Sequence, residues 1–158
     1  MDSNSTRLSL AVLGAILLAQ GVGKAADMAG YLQALAAFGT FPDAVIGLVG
    51  RAWMFAELLS GAGLLAAAIG RPALGRPAAM GAVAVNVGYL VVTGGAWIRG
   101  ASIKNCTCFG VFLAQELSLS TLFQDLVMLA WAAWALRTLR PQPADAAPAA
   151  PDERPTPT

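Results

Sequence analysis

The sequence predicts an all-α polytopic membrane bundle of four helices on three observations. Hydrophobic residues make up 57% of the chain and charged residues only 12%, well outside the make-up of ordinary soluble domains. Four apolar runs are each long enough to cross a hydrocarbon core of ~30 Å, which takes roughly 20 residues in a helix. The runs are continuous rather than alternating, which favours helices over barrel strands as the way to satisfy backbone N–H and C=O groups in lipid.

The first run extends from about Leu8 to Ala29. Arg7 precedes it in the manner of a signal peptide, but the run passes through Gln20-Gly21-Val22-Gly23 with no convincing small-residue cleavage site. It is read as a retained span behind a short cytoplasmic tail, residues 1–7. The segment from Gly30 to Phe41 is amphipathic and fits the membrane interface, and Pro42 breaks the chain before the second span, Ala44 to Ile69. The third span covers Ala78 to Ile98 and the fourth Leu119 to Leu139, so the transmembrane domain occupies residues 8–140. Residues 141–158 are rich in Pro, Ala and charge, lack apolar periodicity and read as a disordered cytoplasmic tail. Glycines such as Gly14, Gly47, Gly50, Gly61, Gly63, Gly81 and Gly88 recur through the spans. In lipid, where burial between helices is not driven by water, small residues let backbones approach closely enough for dispersion to act.

Short-loop basic residues orient the chain. With the N-terminus inside, Arg7, Arg71, Arg76, Arg137 and Arg140 are cytoplasmic, against Arg99 and Lys104 at the outer ends. The expectation is a multi-pass bacterial inner-membrane protein, N-in and C-in, whose loop from Arg99 to Ser118 is periplasmic. A net charge of +1 with no basic run excludes a nucleic-acid partner. The absence of histidine removes the usual general base, and with it a Ser-His-Asp hydrolase.

Chemistry is concentrated in Lys104-Asn105-Cys106-Thr107-Cys108-Phe109-Gly110. Two cysteines one residue apart close a very small disulfide ring, which departs from relaxed geometry and is easier to exchange. Lys104 favours the thiolate, the nucleophile in exchange. Cys106 and Cys108 are therefore candidate catalytic residues, a redox pair. A static staple and a soft-metal site are the alternatives; thiolate pairs suit Cu(I), although only Met28, Met54, Met80 or Met128 remain to complete such a site. No resident metal is expected.

Ionisable groups inside the spans are the second clue, because each costs about 2.5–3.5 kcal/mol at the bilayer centre even on the lenient insertion scale. Lys24, Asp27, Arg51, Glu57 and Asp125 are expected to form a supporting intramembrane polar network near the cysteine loop. Gln20, Lys24 and Asp27 share one helix face, as do Asn86, Tyr89 and Thr93, and both faces should point inward. Such a network serves either to fix helix register or to hold a polar cavity for a quinone headgroup or a proton relay. Trp53, Trp97, Trp131 and Trp134 read as interfacial anchors or packing residues.

Several spaced features resemble the MauE family of the DoxX-like group. They are Gly23-Lys24 with Asp27, Ala56-Glu57-Leu58 followed by Gly61 or Gly63, Cys106-Thr107-Cys108-Phe109-Gly110, and Gln124-Asp125-Leu126. The chain departs from the family pattern at Thr107, where the loop ordinarily carries glycine, and at Gln124, where a basic residue precedes the acidic one. The resemblance implies a role in methylamine metabolism. Proteins of this kind are associated with processing, transport or disulfide maturation of the small (beta) subunit of methylamine dehydrogenase. It also implies a periplasmic client, that subunit or a thioredoxin-like protein, with a thiol-disulfide oxidoreductase-like activity; a non-catalytic assembly or transport accessory subunit is the alternative.

Overall fold

The computed structural model describes residues 3–103 and 116–139. Among them every regular element is helical: α1 (Ser3–Ala26), α2 (Met28–Ala37), α3 (Asp43–Ala68), a 3₁₀ turn (Pro72–Leu74), α4 (Gly75–Ile98) and α5 (Leu119–Thr138). α1, α3, α4 and α5 are long and apolar enough to cross a membrane. Cys106 and Cys108 lie outside the described residues, as does 141–158.

The expected spans are met with shifts at their ends. α1 already begins at Ser3, inside the stretch read as a tail, because nothing in Ser3–Arg7 interrupts the helix. It stops at Ala26, short of the expected Ala29, because Asp27 leaves the helical conformation (φ −135°, ψ 70°) and its side chain accepts a hydrogen bond from Gly30 N at 2.9 Å. Asp27 thereby N-caps α2, the role for which a short carboxylate is suited. The amphipathic segment becomes this short helix, which buries Tyr31 and Leu35 against Ile46 of α3.

Pro42, extended at φ −62° and ψ 144°, sets the start of α3, and Asp43 in the first turn complements the positive end of the helix dipole. α3 and α4 end alike. Gly70 (φ +112°) and Gly100 (φ +69°) adopt a backbone that a side chain would strain, and Arg71 N reaches Ala66 O while Ala101 N reaches Ala96 O. Pro77 falls in the first turn of α4, where a missing N–H costs nothing. Ser118 caps α5 by accepting from Thr121 N at 3.4 Å.

α1 packs chiefly on α3, α3 on α4 and α4 on α5. α1 and α3 meet backbone to backbone at Gly14 and Gly61, where a Cβ on Gly61 would stand 2.7 Å from the Gly14 carbonyl oxygen and a Cβ on Gly14 would stand 2.8 Å from that of Gly61. Below this contact Leu10, Leu13, Leu17, Leu64, Ala79, Ala82, Met128 and Ala132 form an apolar core. Trp131 Nε1 donates to Ser9 Oγ at 2.7 Å, tying α5 to α1. At the opposite end Phe38, Val85, Tyr89, Val92, Ala96 and Ile103 form a second core.

That second end carries α2 and both stems of the α4–α5 connection. Arg99 Nη2 donates to Phe38 O at 2.7 Å, satisfying a carbonyl at the end of α2 and latching it to α4. Leu117 N donates to Ile103 O at 2.9 Å, so the connection leaves and returns at one point, over Tyr89 and Phe38.

Candidate functional site

Directly beneath those stems the bundle buries a set of charged and polar side chains. Lys24 and Glu57 are both 0% exposed, and Lys24 Nζ contacts the two carboxylate oxygens of Glu57 at 2.8 and 2.9 Å. A buried ion pair is tolerated only with good geometry and further hydrogen bonds. Both conditions are met: the Tyr89 hydroxyl donates to Glu57 Oε1, and Lys24 Nζ lies 5.4 Å from the Tyr31 ring centre and 5.3 Å from that of Tyr89. At these distances the ring faces attract the ammonium and replace part of its lost hydration.

One turn further along α4, Thr93 Oγ1 lies 2.8 Å from Tyr89 O and 2.9 Å from Asp125 Oδ2 on α5. The cluster is thus drawn from all five helices. Helical spacing explains each contribution: Gln20 and Lys24 on α1, Trp53, Glu57 and Ser60 on α3, Asn86, Tyr89 and Thr93 on α4, and Thr121 and Asp125 on α5 recur at three- or four-residue intervals and face the interior.

Tyr31, Leu35, Phe38, Trp53, Tyr89, Val92 and Thr93 line a partly open cavity of about 20 Å³ beside this set. Trp53 packs against Tyr89 with ring centres 5.1 Å apart, and its buried Nε1 meets no acceptor among the described residues.

Of the five network residues read from sequence, the fold brings together Lys24, Glu57 and Asp125. Asp27 and Arg51 are a correction. Asp27 is exposed because the chain bends there and spends its carboxylate on the α2 cap. Arg51 is exposed because its position on α3 faces outward, and its Nη1 bonds back to Gly47 O at 3.0 Å. Asp125 accepts from the Thr93 hydroxyl at 2.9 Å. Tyr31 and Phe38 were not singled out in the sequence, although Tyr31, Leu35 and Phe38 recur at helical intervals and mark a buried stripe. Trp53 proves to be a cavity wall.

Lys24, Glu57 and Asp125 are among the positions that carry the family resemblance, beside the Cys106-Thr107-Cys108-Phe109-Gly110 block, and a family model described as methylamine utilisation protein MauE matches residues 3–138. The chain belongs to the MauE family. Membership suggests a role in methylamine utilisation, and the four apolar spans agree with a membrane protein. Comparison with curated proteins and with solved structures returns no match. In this MauE-family bundle the matched region takes in all five helices and the connection that bears the cysteines.

Proposed function

We propose that this MauE-family protein is an inner-membrane thiol-disulfide partner of methylamine utilisation, N-in and C-in. In this reading Cys106 and Cys108 exchange with a periplasmic client, the small subunit of methylamine dehydrogenase or a thioredoxin-like protein. The observation that supports the reading is the closed base of the α4–α5 connection: Leu117 N donates to Ile103 O at 2.9 Å, so the two ends of the connection whose sequence carries Cys106 and Cys108 stand together at the bundle end that holds the Lys24–Glu57–Tyr89 cluster. Joining the two ends lowers the ordering entropy of offering that segment to a soluble client.

The exchange balances as follows. A client thiolate attacks one sulfur of the Cys106–Cys108 disulfide, a mixed disulfide forms, and the client's second thiolate resolves it. The client is oxidised to a disulfide and the pair reduced to two thiols. Two electrons and two protons then pass from the pair to a membrane quinone, giving the quinol.

Thiol trapping in vesicles tests the proposal. With the intact pair, removing the client's resolving cysteine is expected to accumulate a mixed disulfide between the client and Cys106 or Cys108. A pair that stays reduced under oxidising conditions, with Cys106→Ser/Cys108→Ser still supporting active methylamine dehydrogenase, refutes it. The same result favours a non-catalytic assembly subunit in which Lys24–Glu57 serves only to fix helix register.

A further inference from the structure

We infer that a single water molecule occupies the cavity lined by Tyr89 and Thr93 and joins the carboxyl groups of Glu57 and Asp125 into one buried proton-transfer path. The inference goes beyond thiol exchange and stands on residues that do not include the cysteines, so either idea can fail without the other.

Three observations carry it. The cavity, about 20 Å³, has room for one water, for which ~10–15 Å³ suffices, but not for a larger ligand. Its wall, mostly apolar, includes a few polar residues. Tyr31, Tyr89 and Thr93 each bring a hydroxyl, and Trp53 brings an N–H that is buried without an acceptor, a state that native interiors rarely leave unanswered. Finally, the two hydroxyls on α4 already hold one carboxyl group each: Tyr89 bonds Glu57, and Thr93 bonds Asp125 at 2.9 Å. Tyr89 and Thr93 both line the cavity.

A hydroxyl donates one hydrogen bond and accepts two, so when a protonated Asp125 donates to Thr93 Oγ1, a water can accept from both Thr93 Oγ1 and Trp53 Nε1 and donate to the Tyr89 oxygen. The relay then runs with atoms conserved. A proton on Asp125 passes to Thr93 Oγ1, the hydroxyl proton of Thr93 to the water, a water proton to the Tyr89 oxygen, and the Tyr89 proton to Glu57. Each O–H bond broken is replaced by one formed, and no electron moves. The reverse sequence resets the path. The groups that face it are Lys24 from α1, Tyr31 from α2, Glu57 from α3, Tyr89 and Thr93 from α4 and Asp125 from α5, so its charge is balanced inside the bundle.

Infrared difference spectroscopy of the full chain in lipid nanodiscs, cycled between two pH values in H₂¹⁶O and H₂¹⁸O, tests the inference. An isotope-shifted O–H stretch from one confined water is expected, lost in Trp53→Phe and Thr93→Val and retained in Thr93→Ser, which restores the hydroxyl. The pH-dependent carboxyl band is expected to shift in both Glu57→Gln and Asp125→Asn, because the two groups share a proton. Absence of an ¹⁸O-sensitive band overturns the inference, as does its survival in Thr93→Val or a carboxyl band on which Glu57→Gln and Asp125→Asn act independently. Thr93→Val keeps the side-chain shape while removing the hydroxyl, so it keeps the test decisive if Asp125→Asn fails to fold.

Discussion

Replacing Glu57 by leucine leaves the Lys24 ammonium buried without its counter-charge and the Tyr89 hydroxyl without its acceptor. At an N–O distance of 2.8 Å the lost attraction is ~6 kcal/mol gross at an effective dielectric constant of about 20. The net worth of the pair is far smaller, because both ions were taken out of water to make it. Breaking one side exposes the asymmetry: a lone buried charge costs about 3–5 kcal/mol, whereas replacing both partners by apolar groups of similar volume is often neutral or stabilising. Glu57→Leu is therefore expected to destabilise the bundle by roughly 3–5 kcal/mol, and Lys24→Met/Glu57→Leu to recover most of that loss. Folding equilibria in mixed micelles, followed by helical circular dichroism across a detergent titration, give the three free energies of the double-mutant cycle. Additive single effects, or a Glu57→Leu loss below ~1 kcal/mol, would refute the claim that Lys24 and Glu57 form one coupled buried unit.

Three further outcomes follow from contacts elsewhere. Gly61→Val drives a side chain into the Gly14 carbonyl and the Leu18 backbone and should cost at least ~1–3 kcal/mol, whereas Gly94→Ala, with open space at its Cβ, should match or exceed the parent in the same titration. Arg99→Ala removes the hydrogen bond to Phe38 O, worth ~1–1.5 kcal/mol at this partly solvated site; amide exchange across α2 should accelerate up to about tenfold, with α5 unchanged. Trp131→Phe loses the 2.7 Å bond to Ser9 Oγ and should weaken the bundle by about 1 kcal/mol, an effect absent when Ser9→Ala is already present.

The sequence by itself determined the solvent and the scaffold. Apolar runs of bilayer length leave helices as the available structure, Pro42 and Ser118 mark starts, and Gly70 and Gly100 mark stops, because span length and capping are local properties. It also carried the buried face of each span, since Gln20 and Lys24, or Asn86, Tyr89 and Thr93, recur at helical intervals in apolar surroundings. Which groups meet was not local. A periodic pattern shows that a residue faces inward, not which helix it faces. Only the packing of α1 on α3 at Gly14 and Gly61 paired Lys24 with Glu57, and only the packing of α4 on α5 gave Asp125 to Thr93. Asp27 and Arg51 show the converse. Their spacing and charge resemble those of the buried residues, but a bend after Ala26 and an outward position on α3 put them at the surface. The helix positions of the charges are written along the chain; their partners, and the water-sized space lined by Tyr89 and Thr93, exist only once five helices are set against one another.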